Sequence, residues 1–454
     1  MFRICLAATA LLLAVPATAP VFAQSQQERL DDRYDRALAA GYKALMLCGA
    51  IANAEANGTT RTPENVEQWE LSSIQAPLDA IIGELPVEIV RRPAGQIAHV
   101  TVAWADDMPV RIASHSPGRG CYLQSVGARL PTLRMDRVVP SGDSLAEFFE
   151  GDRSLKPVDA AFASEAYGAR ARTTAVLVVR KRMIEAERHA PGFDEHTPQR
   201  TWSVAKSIAA TLIGAAVHRG EVDVNTSAGL GKDGSDPRRA ITIDHLLRMA
   251  SGRYSDTPGN RTDPLYWGGA TVEEVALDWP LIAAPGSSYR YANNDTLAAV
   301  AAIKPTFAAH PPAEFFDRLG MMDTVAETDW QDNYILSSQV WTTAHDLARF
   351  GQLYLDDGVW NGTRILPEGW VKSVATPSGP QPEGPFGYGA GFWLMNKTDG
   401  VPPDTIAAFG NRGQYVVIVP SRQVVIVRRG EDPVGSSFDI AAFTRDVLSA
   451  HLVE

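Results

Sequence analysis

The chain has 454 residues, enough for two or three domains, and an ordinary globular composition at 45% hydrophobic and 21% charged. Its formal net charge of −11 argues against a nucleic-acid partner, which would want a basic face. Arginines outnumber lysines, so a lysine in an apolar setting is informative.

Residues 1–23 read as a secretory signal. Arg3 gives a minimal positive start, Ile4 to Val15 is a short apolar run, and Val21-Phe22-Ala23 supplies small residues before a cut ahead of Gln24. About 12 apolar residues are too few to span a bilayer. No later stretch reads as a membrane span, so the mature chain is expected to be periplasmic or secreted, with no transmembrane segment. Cys5 falls in the signal, which leaves Cys48 and Cys121 as a possible disulfide, with two buried thiols as the alternative.

From Ser25 to about Asn57 the spacing predicts one long helix, with Tyr34, Leu38, Tyr42, Leu45 and Cys48 on one face. Thr62-Pro63 is a helix start, with threonine as cap and proline at the first position. Strand character follows in Val87–Val90, Ile97–Ala105 and Val110–Ala113, with a turn at Pro117-Gly118-Arg119-Gly120. Residues 24–135 are expected to form a small α+β domain. Its His99 and His115 are read as structural or surface residues, and no metal site is expected. Residues 136–155 read as a linker.

Residues 156–454 form the expected second domain. Val158–Tyr167 reads as a helix, and Thr174–Val179 with Met183–Ala186 as a hairpin. Gly391–Met395, Tyr415–Val419 and Val424–Arg428 read as strands, and Phe438–Leu452 as a closing helix. Strands thus come from both ends with helical patterns between them. The fold class is α/β in the α+β sense: an antiparallel sheet flanked by helices, with a helical insert.

The most informative stretch is Thr201-Trp202-Ser203-Val204-Ala205-Lys206-Ser207. The residues behind it, through Val217, predict a helix apolar on most of its surface, which belongs in a core. Residues three apart on a helix are neighbours, so the Lys206 amine is expected within reach of the Ser203 hydroxyl. A serine is a weak nucleophile until a base takes its proton, and a lysine can be that base only where burial keeps it neutral. The bland alternative makes Ser203 a helix cap and Lys206 a solvated lysine. Lys206 is the only lysine with a serine three residues before it.

Two later stretches bear on the same chemistry. In Tyr291-Ala292-Asn293, at the entry to a helix over Thr296–Ile303, the tyrosine can share proton transfer if a nearby cation lowers its pKa. The asparagine can orient the lysine. The alternative is a core tyrosine beside a capping asparagine. In Asn411-Arg412-Gly413-Gln414 the glycine allows close substrate approach, and the Gln414 N–H is expected to pair with that of Ser203 as an oxyanion hole. Alternation along an extended segment would turn Arg412 away from the side Asn411 faces. The letters of a dinucleotide fingerprint at Gly229–Gly234 follow no strand and read as a loop.

Together, Ser-x-x-Lys, Tyr-x-Asn and a late triplet ending in glycine resemble the serine β-lactamase and penicillin-binding superfamily. The tyrosine is similar to that of the class C branch and its esterase, D-amino-acid peptidase and 6-aminohexanoate-dimer hydrolase relatives. Ile243–Gly252, Asp346–Gly351 and Gly358–Gly362 also resemble the hydrolase relatives. The resemblance covers roughly 150–454. It implies an acylated Ser203, Lys206 and Tyr291 as the proton-transfer pair, Asn293 as a positioning residue, and Asn411, Arg412 and Gly413 at the substrate. It also implies no metal or organic cofactor. The expected function is an exported serine hydrolase acting on a small-molecule amide or ester. A true β-lactamase or D,D-peptidase, and a non-catalytic binder on the same fold, are the alternatives. Oligomeric state is not legible.

Overall fold

The computed structural model describes residues 25–129, 149–150, 155–163, 165–255 and 262–450. The signal and most of the linker lie outside these residues. Helix α1 (Gln26–Ala56) starts at Ser25, whose hydroxyl accepts from Glu28 N while the Glu28 carboxylate accepts from Ser25 N. This reciprocal capping satisfies two of the end N–H groups. Tyr34 is exposed, but everything from Ala39 to Ala54 is buried. The expected single apolar face therefore becomes a core helix enclosed all round. Helix α1 is long and apolar enough to cross a membrane, yet its apolar window is packed inside the protein.

After a short helix α2 (Pro63–Trp69), capped by Thr62, come β1 (Val87–Arg91), β2 (Ile97–Val102), β3 (Arg111–Ser116) and β4 (Gly120–Leu123). They form a four-stranded antiparallel sheet against α1. β4 was not legible, because Gly-Cys-Tyr-Leu is buried on both faces and shows no alternation. Cys48 of α1 and Cys121 of β4 are joined by a disulfide (S–S 1.98 Å). The core under this sheet is shared with later segments: Tyr266, Trp267, Leu297 and Trp341 pack in the same cluster as α1.

The main sheet has eight strands. They are β5 (Phe149–Glu150), β6 (Thr173–Arg180), β7 (Met183–His189), β8 (Gly387–Tyr388), β9 (Trp393–Leu394), β10 (Ile406–Gly410), β11 (Gln414–Val419) and β12 (Val424–Gly430), in the order β8-β9-β10-β11-β12-β6-β7-β5. Neighbours are antiparallel except the β5–β7 pair. Both faces are covered, so the central strands are buried throughout and split their side chains by parity. Leu177, Val179, Val416, Ile418, Val425 and Val427 face one core, with α3 (Val204–His218) and α5 (Ala344–Leu355). Val176, Val178, Val417, Val419, Val424 and Ile426 face the other, with α6 (Ile440–Ala450). Between α3 and α5 lies α4 (Asn293–Ile303).

Three expectations need correction. The helix over Val158–Tyr167 is a single stretch, Lys156–Ala160. It ends where the Thr173 hydroxyl donates to Ala161 O. The strand over Gly391–Met395 shrinks to Trp393–Leu394. Strand β10 was missed, since Ile-Ala-Ala-Phe-Gly carries no polar alternation. It is the strand beside the site.

Candidate active site

Ser203 sits at the N-terminal boundary of α3, and its side chain makes no capping bond. The hydroxyl is therefore left to Lys206, whose Nζ lies 3.0 Å from Ser203 Oγ. Just before it, Trp202 holds a left-handed backbone (φ 50°), sparsely populated for a bulky residue and costing about 1–3 kcal/mol. Its ring lies 3.7 Å from the Arg200 guanidinium, a contact that helps hold this conformation.

Lys206 is buried among apolar residues of α3 and has no carboxylate partner among the described residues. Its amine also donates to Ser337 O (3.0 Å) and to Asn293 Oδ1. Burial lowers its pKa from 10.5 to about 7, so the neutral amine is well populated near neutrality. The Tyr291 ring lies 5.0 Å from Nζ. The expectation that this cation would lower the tyrosine pKa is wrong. Burial pushes Tyr291 up to about 12, against hydrogen bonds with Ser203 and Trp393 that pull the other way. Tyr291 therefore meets Ser203 as a neutral phenol. Asn293 is the first residue of α4, whose cap is Ala292, and its Nδ2 donates to Thr262 Oγ1 (3.2 Å).

Ser203, Tyr291 and Asn293 open on one cleft of about 500 Å³, walled by Trp202, Tyr266, Trp267, Trp393 and Phe409. The Trp393 and Phe409 rings stack at 5.7 Å, and Tyr291 lies 5.4 Å from Trp393. These aromatic walls were missed, because only Tyr266 and Trp267 are neighbours in sequence, and the others come from separate segments with no common spacing.

The third stretch departs from expectation. Asn411–Gly413 is a turn between β10 and β11, with Arg412 left-handed (φ 56°), not an extended segment. Asn411 and Arg412 both line the cleft. The Arg412 guanidinium is buried, binding Glu431 (2.6 Å) and the carbonyls of Trp69 (2.8 Å) and Ser72 (3.0 Å), so it is not a substrate cation. Gly413 is also buried, and its carbonyl accepts from Arg428 (2.8 Å). Gln414 is fully buried one strand back from the cleft, opposite Gly410, with its amide held by Arg429. The oxyanion assignment to Gln414 therefore fails on placement. The close neighbour is Gly410, where an added methyl would stand 3.2 Å from Ser203 N and collide with Thr201 O.

A family model described as Beta-lactamase matches residues 158–429, and the chain belongs to that family. The 6-aminohexanoate-dimer hydrolase of Paenarthrobacter ureafaciens is 27% identical over 304 residues, covering 58% of this chain and 73% of that protein. A Bacillus anthracis structure assigned as a 6-aminohexanoate-dimer hydrolase superposes with a TM-score of 0.57 at 22% identity, covering 68% of this chain and 89% of its own. An octameric penicillin-binding protein homologue from Pyrococcus abyssi gives 0.50 at 16%, covering 63% and 74%. The chain is thus a serine hydrolase of the β-lactamase family, with an antiparallel sheet flanked by helices.

Proposed function

We propose that the protein is exported and hydrolyses a short amide or ester through a Ser203 acyl-enzyme. The observation that carries this is the buried Lys206 amine 3.0 Å from Ser203 Oγ, its pKa lowered to about 7 by burial. Neutral Nζ takes the hydroxyl proton as Oγ attacks the carbonyl carbon. The Ser203 N–H at the start of α3 faces the developing oxyanion, and a second donor comes from the end of β10 at Gly410. The ammonium returns the proton to the leaving group, with the Tyr291 hydroxyl as relay. Water then attacks the acyl carbon, its proton passes to Lys206, and Ser203 is regenerated with release of the acid. Export is supported by the signal-like residues 1–23 and by the disulfide, which persists in oxidising compartments.

Penicillin-recognising relatives resemble one another in carrying a cation at the first triplet position. Here that position is Asn411, and the one cation of the triplet is consumed by Glu431 and backbone carbonyls. A neutral amide cannot replace a charged partner for a drug carboxylate. The test compares kcat/KM for a p-nitrophenyl ester and a chromogenic cephalosporin. The ester is expected to be the better substrate. A cephalosporin value of ~10⁴–10⁸ M⁻¹s⁻¹ with little esterase activity would overturn the reading in favour of a β-lactamase.

A further inference from the structure

The family match begins at residue 158, yet the cleft is not built from matched residues alone. Gln75, far upstream, lines the same cleft as Ser203. It is half-buried, and its side-chain amide has no hydrogen-bond partner among the described residues. The chain just before it is fixed firmly. Arg412 Nη2 donates to Trp69 O and Ser72 O, and Nη1 to Ser73 O. Val434 N donates to Ser73 O (3.0 Å), and Arg172 donates to Ser72 Oγ (2.7 Å) and Gln68 O (2.6 Å). Arg172 also lies over the Trp69 ring at 4.5 Å. Pro433 and Val434, on the loop that Ser73 holds, line the cleft as well.

Thus the arginine in the middle of the late triplet faces backwards and binds the N-terminal segment. We infer that Gln75, held in place by the anchored segment 69–74 before it, forms part of one wall of the substrate cleft and is a specificity-determining residue for an uncharged amide group of the substrate, beyond the scissile bond. The chemistry favours that class. A side-chain amide offers a donor and an acceptor together, which matches another amide, whereas a carboxylate would need a cation. The Arg412 charge is already neutralised by Glu431. The apolar walls of Trp393, Phe409 and Val434 suit the aliphatic or aromatic chain between the two polar groups. Arg412 is a positioning residue, acting through the carbonyls it holds.

This inference rests on Ser203 being the acylated residue, and the experiment separates the two. Two p-nitrophenyl esters of equal acyl length, one with an internal amide and one all-methylene, are compared in wild type and in Gln75→Ala. The amide-over-methylene ratio of kcat/KM is expected to fall about tenfold in Gln75→Ala, the scale of one lost hydrogen bond, chiefly through KM. Arg412→Lys, which keeps the charge for Glu431 but not the forked reach to three carbonyls, is expected to lower the same ratio. An unchanged ratio in Gln75→Ala overturns the inference, and that partly exposed position decides the matter if Arg412→Lys does not fold. Wild-type hydrolysis rates in Ser203→Ala would instead sink the acyl-enzyme reading beneath it.

Discussion

Lys206 Nζ stands 3.0 Å from Ser203 Oγ and, among the described residues, is otherwise shared with the uncharged oxygens of Asn293 and Ser337. A lysine paired with a carboxylate would stay protonated. One surrounded by neutral acceptors in an apolar helix yields its proton near pH 7. Truncation to Lys206→Ala is expected to lower kcat/KM by at least ~10²-fold, since general-base help contributes ~10²–10⁴. Steady-state kinetics on a p-nitrophenyl ester measures this, and a loss under tenfold would remove Lys206 from the role of base.

The pH dependence follows from the same group. kcat/KM should rise with pH through about 7, as Lys206 loses its proton, and then level off. Tyr291, held near 12, adds no second step below about pH 10. Stability has a definite sign too. The unfolded lysine holds its proton up to about 10.5 while the folded one releases it near 7, so the unfolded state binds more protons between these values. Stability relative to Lys206→Met should therefore rise with pH across that window, by up to about 1.4 kcal/mol per unit. Denaturant unfolding of both proteins at pH 7 and 9 checks it. A falling difference would contradict the buried, neutral lysine.

Tyr291→Phe keeps the ring contacts with Trp393 and Tyr388 and removes only the hydroxyl that meets Ser203. Activity should fall by about tenfold or more while Tm changes by no more than a few degrees. Unchanged kinetics would leave Tyr291 with packing alone.

Much of this site was legible because its chemistry is local. Ser203 and Lys206 are one helical turn apart, and Tyr291 and Asn293 flank one helix start, so sequence spacing nearly equals spatial spacing. What was not legible depends on strand placement. β10 lacks polar alternation, so its Gly410 beside Ser203 was passed over in favour of Gln414 one strand behind. The turn of Arg412 toward Trp69 depends on a left-handed backbone and on a partner more than three hundred residues away. The tyrosine shift was misjudged because burial outweighs the hydrogen bonds that favour the charged form.

Cys48 and Cys121, 73 residues apart in sequence, tie the buried end of α1 to β4. Reduction is expected to cost roughly 2–4 kcal/mol of unfolding free energy. Urea unfolding with and without reductant measures this, with thiol titration of the denatured, unreduced protein as control. Coincident transitions would contradict it.

The most direct test of the central claim is peptide-mapped mass spectrometry of the protein after treatment with a fluorophosphonate at pH 8. The account predicts one adduct per chain, on Ser203, none in Ser203→Ala, and much slower labelling in Lys206→Ala. An unlabelled wild-type Ser203, or stoichiometric labelling at another residue, would contradict it.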